Sequence, residues 1–125
     1  MSHRIVVQVV IRDRGVVLEA CRRLGYTVLG EGTYRMYSTQ AKGIGISVPG
    51  FSYPVVWDPE TGQFSYDNWN TTSMTYAEVT PVTRLIHECT IYNTVAELRD
   101  SGVITHVGKT EYVDGEWVTD LEVIQ

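Results

Sequence analysis

The chain has little of what sequence-level chemistry is usually built from. Its 125 residues include two cysteines, three histidines and only two lysines. No Cys-X-X-Cys or His-Glu-X-X-His spacing occurs, which excludes the common zinc and dithiol motifs. His3, His87 and His106 are scattered singly. His87 and Cys89, two apart in a helical segment, point about 200° away from each other and cannot form a direct Cys-His pair there. No apolar run approaches the roughly 20 residues that span a bilayer. The opening MSHRIVVQVVI has no small-residue cleavage site and runs straight into the charged RDR, so it reads as a strand rather than a signal peptide. Repeats and low-complexity segments are missing too. From these absences we expect no metal, no cofactor and no membrane span. Cys21 and Cys89 fall on apolar helix faces, as buried free thiols do, which fits a cytoplasmic protein.

What is present is an ordinary globular composition, 43% hydrophobic and 20% charged. The length suits one domain, residues 1–125. The net charge of −5 hides an asymmetry. Residues 1–42 hold seven Lys or Arg against three acidic residues, whereas residues 43–125 hold three against twelve. An acidic C-terminal ribbon repels phosphate backbones. Nucleic-acid or anion binding would therefore fall to the N-terminal cations, with Arg22, Arg23, Arg35 and Lys42 as the candidate set.

The stretch Thr80 to Gly102 organises the expected fold. Thr80 ahead of Pro81 reads as a helix start and Gly102 as its stop. Val82, Leu85, Ile86, Cys89, Tyr92 and Ala96 form one apolar stripe, and Ile91, Val95 and Leu98 a second apolar edge. A helix apolar on two sides needs more than one sheet. A second helix, a partner subunit or the 67–78 connection could cover that second edge, and the three residues are the candidate interface of a homo-oligomer or a protein complex.

Earlier in the chain, Arg4–Ile11 reads as a central strand and Asp13 as the cap of a helix running to Leu24, with Gly25 after it. Strands follow at Tyr26–Leu29, Thr33–Tyr37, Ile44–Val48, Tyr53–Trp57 and Gln63–Tyr66. The glycines of Gly30-Glu31-Gly32 and Lys42-Gly43-Ile44-Gly45 suit a bend and close strand packing better than a phosphate loop. The 67–78 connection carries Trp69, Met74 and Tyr76, with Trp69 and Tyr76 as candidate ligand or partner residues. Beyond Gly102 come strands at Val103–Val107 and Thr110–Val113, and Asp114-Gly115 is the strongest hairpin signal. Asp120 and Glu122 share one face of the last strand. The expected architecture is α+β, an antiparallel sheet with two helices packed on one face, with a ferredoxin-like core and an inserted meander.

Several short motifs carry a resemblance. The initial MSH, Arg23-Leu24-Gly25-Tyr26, the strand Tyr53-Pro54-Val55-Val56-Trp57, the segment Tyr92-Asn93-Thr94-Val95 with Gly102 beyond it, and Asp114-Gly115 resemble the Ycf35 family, a domain of unknown function found in plastids, cyanobacteria, other bacteria and phages. The sequence departs from that pattern at Glu88, Cys89, Thr90 and Ile91 in the long helix. The resemblance implies a small accessory protein without an assigned reaction and adds no catalytic residue.

Two function classes follow: a small non-enzymatic interaction or regulatory protein, and a binder of a small anionic ligand or nucleic acid through the basic N-terminal portion. The first is preferred, and it predicts no measurable oligonucleotide affinity at about 0.15 M salt. A fluorescence anisotropy titration checks this. Submicromolar binding that weakens with salt and on neutralising Arg22 and Arg23 would favour the second.

Overall fold

The computed structural model describes residues 4–6, 9–37, 39–67 and 76–124, with the backbone alone for 4–6 and 76–80. Nine elements follow in order: β1 (Arg4–Val6), α1 (Arg14–Leu24), β2 (Thr27–Arg35), β3 (Gln40–Ser47), β4 (Val55–Trp57), β5 (Phe64–Asp67), α2 (Tyr76–Asp100), β6 (Ile104–Val113) and β7 (Glu116–Ile124). They form a five-stranded sheet in the order β1-β5-β4-β3-β2 and a separate two-stranded sheet, β6-β7, antiparallel throughout. The architecture is mixed α+β, as expected. The order is a meander, β2 to β5, closed by β1 at its far edge, and it does not reproduce the ferredoxin-like order expected from the sequence.

Both helices pack on one face of the large sheet. Val17, Ala20 and Cys21 of α1 and Val82, Leu85 and Cys89 of α2 meet Ile44, Ile46, Val55, Trp57 and Phe64 in one buried cluster. The strand side chains on this face alternate with Val56 and Ser65 on the other, following the two-residue period of the pleat. Trp57 is fully buried and its Nε1–H donates to the Ile11 carbonyl at 2.8 Å. A ring of that size removes roughly 200 Å² from water, about 5 kcal/mol at the usual apolar coefficient. That interaction explains one correction. The first strand is not central and does not run to Ile11. Among the described residues it lies at an edge and spans Arg4–Val6, while Ile11, outside the ladder, bonds Trp57 through its carbonyl and Gly62 through its N–H.

Further boundaries differ. The expected strands Val103–Val107 and Thr110–Val113 are one strand, β6, with a register irregularity between Val107 and Thr110. The expected pair of strands around Gly30-Glu31-Gly32 is one strand, β2, with a register irregularity between Val28 and Gly30 where the glycine (φ 102°) absorbs the extra residue. The expected helix start at Pro81 lies inside α2, Tyr76–Asp100. Inside the helix the proline removes one backbone hydrogen bond and crowds the carbonyl four residues earlier, and its own carbonyl accepts from the Tyr26 hydroxyl at 3.0 Å.

The glycines of β3 serve close packing. The Tyr34 ring covers Gly45 so tightly that an added methyl would stand 2.5 Å from Cζ, and the Tyr34 hydroxyl donates to the Gly30 carbonyl at 2.6 Å. An aromatic side chain thus fills the space above a strand glycine, on the face that also buries Met36, Ala41 and Val56.

Asp13 caps α1 as expected, its Oδ1 accepting the Gly15 N–H at 2.8 Å. Asp13→Ala should lower stability by about 1 kcal/mol, read as a shift of the urea midpoint at unchanged slope. An unchanged midpoint would remove the cap from the helix's energetics.

Candidate interaction surface

Helix α2 lies between two sheets. Its stripe through Val82, Leu85 and Cys89 faces the core, and the opposite side carries the β6-β7 hairpin. The hairpin forms because Asp114 (φ 50°) and Gly115 (φ 82°) both adopt the positive φ that a two-residue turn requires. Paired residues share a face, so Tyr112 with Trp117, Thr110 with Thr119, and Val107 with Leu121 point to the helix side.

Polar side chains tie the hairpin to α2. Trp117 Nε1–H donates to Thr83 Oγ1 at 3.1 Å, and the Arg84 guanidinium lies 5.1 Å from the centre of the Trp117 ring. Arg84 also bonds Glu88 at 3.0 Å, and both side chains are largely shielded, 20% and 12% exposed. One helical turn on, His87 Nε2 lies 2.7 Å from Thr119 Oγ1, which lies 2.8 Å from Thr110 Oγ1. Burial, then the Arg84 charge, lowers the His87 pKa, with Glu88 opposing. These effects favour the neutral ring, whose hydrogen bond to Thr119 then joins two uncharged partners. Arg84 Nη1 and Thr105 Oγ1 are buried without a hydrogen-bond partner among the described residues.

Ile91, Val95 and Leu98, the expected second edge, lie on the side of α2 that carries Thr83 and His87. All three are half-buried. The hairpin's side-chain contacts with α2, at Thr83, Arg84 and His87, fall on that same side. The hairpin itself remains wet. None of its residues is buried, and Ile104, Val113, Val118, Val123 and Ile124 are each 44% exposed or more.

The basic candidates are not brought together. Arg22 and Arg23 stand at the C-terminal end of α1, where Glu19 takes both guanidinium groups at 2.6 and 3.1 Å. The Arg22 hydrogen bond, then that from Arg23, holds the Glu19 carboxyl down at about 2. Arg23 also stacks over Tyr92, 4.5 Å from the ring centre. Arg35 and Lys42 lie on β2 and β3, beyond the opposite end of α1, because Arg14 at that end reaches Glu31, four residues before Arg35. Helix and strand rises put Arg35 roughly 25 Å and Lys42, opposite Thr33, roughly 19 Å from Arg22. Trp69 lies outside the described residues, as do His3, Met74 and the side chain of Tyr76.

Other candidate chemistry is dispersed. Cys89 is in the core while His87 faces the hairpin, as their spacing requires. Among the described residues no group of three or more His, Cys, Asp or Glu could hold a metal ion, and no helix is long and apolar enough to cross a membrane. Asp120 and Glu122 share the outer face of β7, exposed. What sequence reasoning missed is the Arg84–Trp117–Thr83 junction, which no local spacing signals. No protein-family model, curated protein or solved structure matches the chain.

Both thiols are fully buried, which pushes Cys21 up to about 11 and Cys89 higher still. Neither is a nucleophile at neutral pH. Because folding holds these groups protonated, their contribution to stability is complete below about pH 9 and is lost as pH rises towards about 11. Burial raises Tyr26, Tyr66 and Tyr92 in the same sense. Denaturant midpoints should fall from pH 9 to 11, and Cys21→Ala should flatten part of that fall. Thiol titration should find two groups only after unfolding; rapid labelling of native Cys89 would contradict its burial.

Proposed function

We propose that the chain is a small non-enzymatic interaction module that contacts another protein through its C-terminal hairpin, mounted on α2. One observation carries the reading: a two-stranded sheet, marginal by itself, presents five exposed aliphatic side chains. The polar groups nearest it support the same reading. Arg84, Glu88, His87 and Thr119 are engaged in holding the hairpin against the helix, which gives the surface a rigid base. The half-buried Ile91, Val95 and Leu98 belong to this surface at its helix side, where a second copy or another protein would complete their burial. The two buried free thiols suit a reducing, cytoplasmic setting. With no matching family model, the Ycf35 resemblance carries none of this argument. Binding of an anion or nucleic acid by the N-terminal cations is disfavoured by the separation of Arg22 and Arg23 from Arg35 and Lys42.

Photo-crosslinking in the native host tests the reading, with a benzophenone amino acid at Val118 on the hairpin or at Leu18 on α1, both exposed apolar positions. The expected result is discrete protein adducts from position 118 and none from position 18. Adducts of twice the chain's mass would identify a second copy. Adducts from position 18 alone would overturn the reading.

A further inference from the structure

The two edges of the β6-β7 hairpin differ in what they can bind. Each strand of a two-stranded sheet has one edge whose backbone donors and acceptors face outward. Among the described residues β6 and β7 pair only with each other. The β6 edge is blunted. Its register shifts between Val107 and Thr110, placing Gly108 and Lys109 in an irregularity, and bulges and lysines are the usual means of stopping strand addition. The β7 edge is not. Its nine residues, EWVTDLEVI, contain no glycine, proline or lysine.

Charge distinguishes the strands that could add there. Successive β7 side chains alternate, so Glu116, Val118, Asp120, Glu122 and Ile124 share the outer face, and all five are exposed. Across the ladder, Glu116 meets Val113 and Glu122 meets His106. The hairpin's single lysine, Lys109, is paired with Glu111 at 2.6 Å. A second copy is a poor occupant. A two-fold axis through the sheet must pair residues of the same face, so it centres on a β7 residue. Centred on Val118 it opposes Glu116 to Asp120, and on Thr119 it opposes Glu116 to Glu122. Centred on Asp120 or Glu122 it opposes that residue to its own copy, and on Leu121 it opposes Asp120 to Glu122. Each of these registers, which are the ones that pair five or more residues of β7, places carboxylates directly opposite one another, which destabilises a strand pair.

We infer that the open edge of β7 takes an extended, basic segment of a partner protein as a third strand, antiparallel to β7, with Lys or Arg opposite Glu116, Asp120 and Glu122 and aliphatic residues opposite Val118 and Ile124. Main-chain hydrogen bonds supply affinity in this mode and alternate side chains supply specificity. The other long edge, β2, lacks this one-signed character: it carries Glu31 and Arg35, with Arg14 across from Glu31. The inference rests on the hairpin being a contact surface and adds the chemistry of what it contacts.

The test uses the intact chain and the peptide Ile-Val-Lys-Val-Lys-Thr-Val-Tyr-Arg, which places its cations opposite Glu122, Asp120 and Glu116. Its acidic counterpart, with Glu at those three places, is the control. Amide hydrogen exchange by NMR should show new protection on alternate β7 amides with the basic peptide and none with the acidic one. The double variant Asp120→Lys/Glu122→Lys should weaken the basic peptide by roughly tenfold or more and favour the acidic one. Both positions are exposed, and the variant's amide spectrum reports whether it is folded; the wild-type exchange result stands without it. No binding by about 1 mM peptide, equal binding of both peptides, or protection at β2 in place of β7 would each overturn the inference. So would concentration-dependent protection of β7 by the chain itself, which would mark a second copy. Crosslinks from position 118 without peptide pairing would sink this inference while leaving the interaction reading intact.

Discussion

Helix α2 must be covered on two sides, and the architecture follows from that requirement. Val82, Leu85 and Cys89 on one side and Ile91, Val95 and Leu98 on the other cannot all face a single sheet. The meander with α1 covers the first side. The hairpin is tied to the second by Trp117 to Thr83 and by Thr119 to His87. The two sides are not equal. The first ends in fully buried residues, whereas the hairpin side has none, and its inner positions are only half-shielded. Apolar area left over on a marginal two-stranded sheet is where a further contact would gain most.

The polar content of the molecule divides along the same line. On the core side it is sparse and specific. Trp57 holds the Ile11 carbonyl and Tyr26 holds Pro81, while on the far face of the sheet the fully buried Asp67 accepts the Tyr37 N–H at 3.1 Å. Each bond fixes where a connecting segment crosses the sheet or the helix. On the hairpin side the polar groups join two elements that would otherwise meet through aliphatic contacts alone. The Arg84 guanidinium serves twice, as partner of Glu88 and as a cation over Trp117. A planar, weakly hydrated cation suits that position better than a lysine would.

The charge asymmetry takes on a spatial meaning in the fold. The acidic C-terminal residues lie on one exposed hairpin, so their repulsion acts on whatever approaches β7. The N-terminal cations are spread instead. Glu19 occupies Arg22 and Arg23, Glu31 faces Arg14, and Arg35 and Lys42 lie toward the far end of the β2-β3 ribbon. A basic half of the sequence therefore does not make a basic face.

Local chemistry by itself determined much of this. Asp13 as a cap, Asp114-Gly115 as a hairpin turn, the inward stripe of α2 and the burial of both cysteines follow from residues a few positions apart, because caps, turns and periodicities are short-range. The second apolar edge of α2 was legible too, but not what lies on it. Only the tertiary structure decided that the last hairpin leaves the main sheet, that the first strand lies at an edge, that Tyr34 covers Gly45, and that the arginines stay apart. These depend on pairings between segments distant in the chain. Several partners would satisfy each segment's own pattern, and only the simultaneous packing of Trp57, Ile11 and the two faces of α2 selects among them.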